Sequence, residues 1–317
     1  MSNEIAVKEI HELANKLRIN IQKVIVGKDE VIDLITTSLI CSGHVLLEDI
    51  PGTGKTMLAR ALAKSIDSNF NRIQFTPDLL PSDLTGLNYF NQKINEFQFK
   101  KGPLMNQIIL ADEINRATPR TQSSLLEAME EHQITVDGVT HLLDEPFFVL
   151  ATQNPIEIGG TFPLPEAQLD RFFMQLSMGY PSRDEAFAIM TRFRTVNPIM
   201  HLESVLSGAD IVEARRKYTQ VHIDDTIIGY ILDIVEKTRH HADVELGISP
   251  RGSMALFKGA QAYAAVKGRT FVLPDDVKTL VKPIFSHRIK LKDVYTTTSG
   301  EVLQTIIDSV TVPVERI

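Results

Sequence analysis

The chemistry most legible in the chain sits in eight residues, Asp49-Ile50-Pro51-Gly52-Thr53-Gly54-Lys55-Thr56. They follow a short apolar strand candidate, His44 to Leu47, and precede an Ala/Leu-rich stretch, Met57 to Ile66, that reads as a helix. In that order, backbone N–H groups of the turn and the helix N-terminus converge on phosphate oxygens. Lys55 neutralises the outer phosphates, and the Thr56 hydroxyl can ligate Mg²⁺. Gly52 and Gly54 let the backbone approach because they carry no Cβ. The usual pattern, G-x-x-x-x-G-K-[ST], has glycine where this chain has Asp49, a departure expected to change the shape of the loop more than its phosphate contacts. An unrelated glycine-rich turn is the competing reading, and Lys-Thr directly after Gly54 argues against it.

A second element is Ile108-Ile109-Leu110-Ala111-Asp112-Glu113, an apolar run ending in two acids. A buried strand with a carboxylate at its C-terminal end can place Asp112 to hold Mg²⁺ and Glu113 to orient and deprotonate an attacking water. By itself, the acid pair also fits the start of a helix. Roughly sixty residues after a phosphate loop, in an α/β pattern, it fits a nucleotide site. Phosphoryl transfer further needs positive charge at the terminal phosphate, for which Arg171 and Arg251 are candidates.

These residues need a scaffold. Apolar residues at Ile10, Leu13, Leu17 and Ile21 predict a helix within Val7 to Val24, and Asp29 to Leu39 predicts a second after a break at Gly27. Besides His44 to Leu47, strands are expected at Arg72 to Phe75, Gln107 to Ala111 and Phe147 to Thr152, with a helix over Thr121 to Glu131. Alternating strands and helices imply a parallel sheet between helical layers. Two hairpins are expected, around Leu87 to Phe99 and at Ile134 to Leu143, the latter turning at Asp137-Gly138. Beyond Pro181 the only strand signal is Thr270 to Leu273. Helices are expected at Asp184 to Arg194, Asp225 to Arg239, Arg251 to Lys267, Pro274 to Phe285 and Gly300 to Ser309. The expectation is thus an α/β core over residues 1–181 and a small all-α domain over 182–317.

Composition agrees with that division. The 317 residues carry 33 Lys+Arg and 40 Asp+Glu, a net charge of 33 − 40 = −7, with 43% hydrophobic residues, which excludes disordered and fibrous classes. Residues 1–181 hold 15 basic and 23 acidic residues (−8), and residues 182–317 hold 18 and 17 (+1), so the acid excess lies wholly in the first part. An acidic chain argues against whole-protein electrostatic binding of nucleic acid. The single Cys41 excludes an internal disulfide and a multi-cysteine metal site, as in a reducing cytosol. The longest uncharged run, Leu34 to Leu47, is 14 residues, short of the roughly 20 apolar residues that span a bilayer. With no signal-like start at Met1 to Lys8, the expected location is the cytoplasm.

Five segments together resemble the MoxR family of AAA+ ATPases. They are the loop Asp49 to Thr56; Ile108 to Glu113 continuing as Ile114-Asn115-Arg116-Ala117; Ala151-Thr152-Gln153-Asn154-Pro155; Leu164-Pro165-Glu166-Ala167-Gln168-Leu169-Asp170-Arg171-Phe172; and Ser249-Pro250-Arg251-Gly252. The resemblance implies a P-loop NTPase core followed by a helical lid, binding ATP with Mg²⁺. Within it, Val26 and Gly27 match the segment bordering the adenine, and Pro51 to Met57 the phosphate loop. Thr56 and Asp112 match the metal ligands, Glu113 the catalytic acid and Asn154 the first sensor. Arg171 matches the arginine finger offered to a neighbouring subunit, and Arg251 the second sensor, whose side of action stays open. The two hairpins match the helix-2 insert and the hairpin before the first sensor. A homo-oligomeric ring, a hexamer, is implied, with a protein substrate and a partner bearing a von Willebrand A domain.

Asn154 and Arg171 have plainer readings, Asn154 as a turn residue and Arg171 paired locally with Asp170 or Glu166; Arg251 stands at a helix start unfavourable for a cation, which suggests it is held there for an anion. His240-His241, Lys100-Lys101 and Arg215-Arg216-Lys217 read as solvated surface. A DNA-associated regulator or motor is the first alternative function, disfavoured because the segment after His287 carries only Arg288, Lys290, Lys292 and Arg316 as basic residues. A chelatase-type motor subunit is the second, with no feature in its favour.

Overall fold

The computed structural model describes residues 2–154, 160–194, 197–293 and 297–313. Pro155 and Arg316 lie outside them. Helices α1 (Ser2–Gln22) and α2 (Asp29–Ile40) lead into strand β1 (Val45–Glu48), the phosphate-loop candidate and α3 (Lys55–Ser65). Then come β2 (Phe70–Gln74), the short α4 (Pro81–Thr85), the hairpin β3 (Gly86–Asn91) and β4 (Glu96–Lys101), β5 (Ile108–Asp112) and α5 (Pro119–Glu131). A second hairpin, β6 (Gln133–Val136) and β7 (Val139–Leu142), precedes β8 (Phe148–Gln153), the four-residue α6 (Glu166–Leu169) and β9 (Met174–Leu176). The chain ends in α7 (Arg183–Arg192), α8 (Gly208–Lys217), α9 (Asp225–His240), β10 (Val244–Leu246), α10 (Pro250–Val266), α11 (Pro274–Phe285), β11 (Lys290–Leu291) and α12 (Ser299–Ser309).

The main sheet runs β2-β5-β8-β1-β9, and all its pairs are parallel. β1, β5 and β8 are buried over nearly their whole length, as a sheet covered on both faces requires. Since β1, β5 and β8 lie side by side, their carboxyl ends bring the glycine loop, Asp112-Glu113 and Asn154 to one edge, where open α/β sheets bind ligands.

One face of the sheet packs on α1, α2 and α3, and that apolar cluster continues through Leu256, Leu280 and Ile306 into the C-terminal helices. The other face packs on α5 and the first residues after β5, around Leu125, Leu126, Ile114 and Phe147. Hydrophobic packing therefore crosses the compositional boundary near Pro181 without a break.

Several elements depart from expectation, among them the short α4 and α6, which were not expected. β9 was not signalled: three residues at a sheet edge carry too short a pattern to register. Helix α8 covers Arg215-Arg216-Lys217, and the reading of that run as solvated surface holds for the exposed Arg216 but needs correcting for its two neighbours. Arg215 is half-buried and its Nε donates to the Leu39 carbonyl at 3.0 Å, while Lys217 pairs with Glu9 and Glu213. The signal was the capping box of Ser207 with Asp210. The C-terminal part is helical, yet it also contains the antiparallel pair β10–β11, and Thr270 to Leu273 supplies only one isolated bridge, His222 with Phe271. His240 and Lys100-Lys101 are exposed as expected, whereas His241 is half-buried.

His44 locks β1 into the sheet. It is 3% exposed; its Nδ1 accepts from the Val149 N–H at 3.0 Å and its Nε2 donates to the Met129 carbonyl at 3.0 Å. Burial pulls its pKa down to about 3, and burial beside Arg288 pulls His287 well below its ordinary value. Both are neutral in the fold and take up a proton only on unfolding. Stability is therefore undiminished above pH about 6.5 and is lost as pH falls from there toward 3, at up to about 1.4 kcal/mol per pH unit for each histidine. The expected result is a urea midpoint that drops between pH 7.5 and pH 5 while the NMR ring signals of His44 stay those of a neutral imidazole. A His44 ring that titrates near pH 6.5 in the folded protein would contradict this.

Candidate functional site

The glycine loop opens onto a cleft of about 600 Å³ whose walls include Pro51, Gly52, Gly54, Lys55, Thr56, Met57, Asp112, Glu113 and Asn154. Nine of the sequence-predicted residues thus meet in one place. Thr53 belongs to the loop without lining the cleft, its Oγ1 donating to the Ile50 carbonyl at 3.4 Å. Gly52 and Gly54 take φ of 85° and 93°, values that disfavour any Cβ, and a Cβ there would meet nothing closer than the Met178 methyl at 4.0 Å from Gly54. The loop is therefore a concave cradle with room for phosphate above it. α3 begins at Lys55 and has no side-chain cap, so its first N–H groups are available to an anion.

Asp49 has a role the sequence did not disclose. It is 5% exposed; its Oδ2 accepts from the N–H groups of Met178 at 2.6 Å and Gly179 at 3.3 Å, and its carbonyl accepts from Lys55 Nζ at 2.8 Å. Where such loops usually turn on glycine, this chain ties the start of the loop to the segment leaving β9 for the C-terminal helices.

Both acids are held by neighbours. Asp112 Oδ1 accepts from Thr152 Oγ1 at 2.6 Å, and its Oδ2 accepts from Arg72 Nε at 3.0 Å and Nη2 at 2.6 Å. Glu113 Oε2 accepts from Gln74 Nε2 at 2.8 Å and pairs with Arg116 Nε at 3.1 Å, while its N–H donates to Thr152 Oγ1 at 2.8 Å. Glu113 also has a φ of 57°, left-handed backbone that costs a non-glycine residue about 1–3 kcal/mol and concentrates at functional positions. Arg72, Gln74, Thr76, Arg116 and Thr152 are the cleft residues to which sequence reasoning assigned no role. Arg72 and Gln74 alternate on β2, and strand alternation puts both on the side facing Asp112, the one signal available beforehand.

The donor set suits Mg²⁺. The Thr56 hydroxyl and the Asp112 carboxylate are hard oxygen ligands, and Asp112 already draws a cation, Arg72. Among the described residues no cluster of three or more His, Cys, Asp or Glu could hold a metal by itself. Asn154, 7% exposed, sits just past β8 beside the acids.

Four predicted residues lie elsewhere. Val26 and Gly27 form the turn between α1 and α2 and do not line the cleft; the next residue, Lys28, reaches the Tyr180 carbonyl at 3.3 Å and Glu185 at 3.6 Å. Arg171 and Arg251 converge on Glu130, with Arg171 Nε 3.1 Å from Oε2 and Arg251 Nη2 on Oε1. The local partners considered for Arg171 are taken: Asp170 pairs with Arg288 and Glu166 with Lys290. The anion beside Arg251 at its helix start is Glu130. Glu130 closes α5, whose rise of about 1.5 Å per residue puts it roughly 16 Å along the axis from Pro119, at the end remote from the acids. Neither arginine lines the cleft of its own chain.

Comparison with known proteins agrees with this geometry. Residues 44–174 match the family described as ATPase family associated with various cellular activities (AAA), and residues 236–307 match the AAA lid domain. The chain is 50% identical over 312 residues to an uncharacterized protein of Bacillus subtilis, covering 98% of both chains. It is 36% identical to Chaperone MoxR1 of Mycobacterium tuberculosis, covering 89% of this chain and 77% of that one, and 30% identical to Protein MoxR of Paracoccus denitrificans, covering 92% and 93%. A solved structure from Cytophaga hutchinsonii superposes with a TM-score of 0.89 at 37% identity over 97% and 98% of the two chains. With its phosphate cradle, strand-end acids, helical lid and these relatives over nearly its full length, the chain belongs to the MoxR family of AAA+ ATPases.

Proposed function

We propose that the protein hydrolyses ATP with Mg²⁺ as a cytoplasmic ring of identical subunits, a hexamer, in which each subunit completes its neighbour's site. The observation that carries this reading is the placement of Arg171 and Arg251 together on Glu130, outside their own cleft. Two cations aimed away from the subunit's own phosphates suit a head-to-tail interface, where the surface that gives and the surface that receives differ and the rotation closes a ring. On this reading residues 1–181 form the nucleotide-binding core and residues 182–317 the lid, and Arg251, left open between its own and a neighbour's ATP, acts on the neighbour's.

The steps follow from residues in the cleft. The loop N–H groups and Lys55 bind and orient the phosphates. Thr56 and Asp112 would hold Mg²⁺, which when bound offsets phosphate charge. Glu113 takes the proton of the attacking water, and Asn154 orients that water. Gln74 and Arg116 hold the Glu113 carboxylate in the cleft. Arg171 and Arg251 exchange Glu130 for the charge developing on the neighbour's terminal phosphate. Val26 and Gly27 border the adenine. The chaperone name of a relative supports use of this cycle to remodel or activate a protein partner, and the family supports a partner bearing a von Willebrand A domain, in metalloenzyme maturation or regulation.

Hydrolysis that needs an arginine from another subunit depends on concentration. Phosphate release per subunit is expected to rise with protein concentration and level off where sizing shows the ring complete. Turnover per subunit that stays constant down to concentrations where only monomer elutes would overturn the reading.

A further inference from the structure

Arg171 sits just past the four-residue α6, a stretch too short to hold a side chain by itself. Arg251 is on α10, in a different part of the chain. Both nevertheless reach one carboxylate, so something sets the two segments relative to each other. That something is a side chain neither motif contains, Arg288, which follows α11 and is 6% exposed.

All five N–H donors of Arg288 are used. Nε donates to Asp170 Oδ1 at 2.7 Å, Nη1 to the carbonyls of Phe173 at 3.1 Å and of Ile284, and Nη2 to the carbonyls of Asp170 at 3.3 Å and Phe172 at 2.5 Å. The backbone is thus gripped on both sides of Arg171. The other Asp170 oxygen, Oδ2, accepts from Ser249 Oγ at 3.1 Å, and Ser249 Oγ in turn accepts from the Gly252 N–H at 3.1 Å, capping the helix that carries Arg251. The stem of Arg288 also lies against Gly252, where an added Cβ would stand 3.1 Å from its Cδ. One buried arginine therefore holds the backbone on both sides of Arg171 directly and reaches the helix of Arg251 through Asp170 and Ser249.

We propose that Arg288 is a positioning residue which, through Asp170 and Ser249, sets Arg171 and Arg251 as a single unit for delivery to the neighbouring subunit's ATP. The inference rests on the reading that those arginines act between subunits. Lysine cannot replace it: an ammonium keeps the charge beside Asp170 but has three donors and no planar fork with which to hold several carbonyls at once.

The test uses Arg288→Lys, which retains that charge, with Arg288→Ala beside it. Turnover is expected to fall at least about tenfold, because small misplacements of a charge in a transition state are costly. ATP affinity should be unchanged, since the variant's own cleft is untouched. The decisive measurement is mixing. Arg288→Lys subunits keep a sound cleft but give a poorly set arginine pair; Glu113→Gln or Lys55→Ala subunits have a dead cleft but give a sound pair. Mixed in equal amounts, the two impaired proteins should recover up to about a quarter of wild-type turnover, above the sum of their separate rates, the share of head-to-tail interfaces that unite the sound halves. An Arg171→Ala mixture serves as reference. If it recovers and the Arg288→Lys mixture does not, the fault lies within the variant's own subunit and the positioning role is overturned while the reading between subunits stands. If neither recovers, that reading fails and takes this inference with it. Full turnover by Arg288→Lys alone would also overturn it.

Discussion

Arg171→Ala is expected to reduce ATP turnover by about 10³-fold or more, the range over which an arginine stabilises transferring phosphate, while leaving nucleotide affinity nearly intact. The separation of the two effects follows from position. Arg171 contributes nothing to the walls of its own cleft and is paired with Glu130 instead. Removing it therefore takes positive charge from the transition state at an interface without disturbing the loop, Lys55 or Thr56. Steady-state phosphate release and a fluorescent-nucleotide titration on the same preparation check both halves. A mutant that hydrolyses at the wild-type rate eliminates Arg171 as the finger, and one that cannot bind ATP returns it to its own site. Arg251, on the other oxygen of Glu130, should behave in the same direction.

Glu113→Gln is expected to slow hydrolysis by about 10²–10⁴-fold, the usual worth of a positioned proton acceptor, with ATP still bound. The amide preserves the shape of the side chain and a hydrogen bond with Gln74 but cannot take a proton. Because binding rests on Lys55 and the loop, the variant should accumulate as an ATP-loaded ring and hold its protein partner long enough to be identified by co-purification. Rapid-quench measurement of bound ATP and sizing in the presence of ATP report the two outcomes. Wild-type turnover in this variant would remove Glu113 as the base, and an empty monomer would count against both the site and the assembly.

The two expectations differ in how much of each was legible beforehand. Glu113 could be located from the linear order alone, because a run of apolar residues ending in acids, after a loop ending Gly-Lys-Thr, has few structural uses. The sheet then adds the reason the pieces meet: β1, β5 and β8 are neighbours, so three loops far apart in the chain end at one edge. The grip of Gln74, Arg116 and Thr152 on the acids was not legible, although Gln74 and Thr152 lie on expected strands, because hydrogen-bond partners between strands depend on register. Asp49 was legible only as a departure from a pattern; that its buried carboxylate ties the loop to Met178 and Gly179 depends on β9, more than a hundred residues later, pairing in parallel beside β1.

Linear order, residue type and spacing by themselves determined the family, the phosphate cradle, the strand-end acids and the helical character of the C-terminal part. Each rests on patterns contained in stretches of roughly ten to twenty residues and on the order in which those stretches follow one another. Only the tertiary structure decided which way the arginines face, that Glu130 joins them, and that Arg288 holds the segments on which they ride. The physical reason is that a charge acts through space: its partner is whichever opposite charge or carbonyl the packed chain brings within about 3 Å, and separation along the sequence carries no record of that distance.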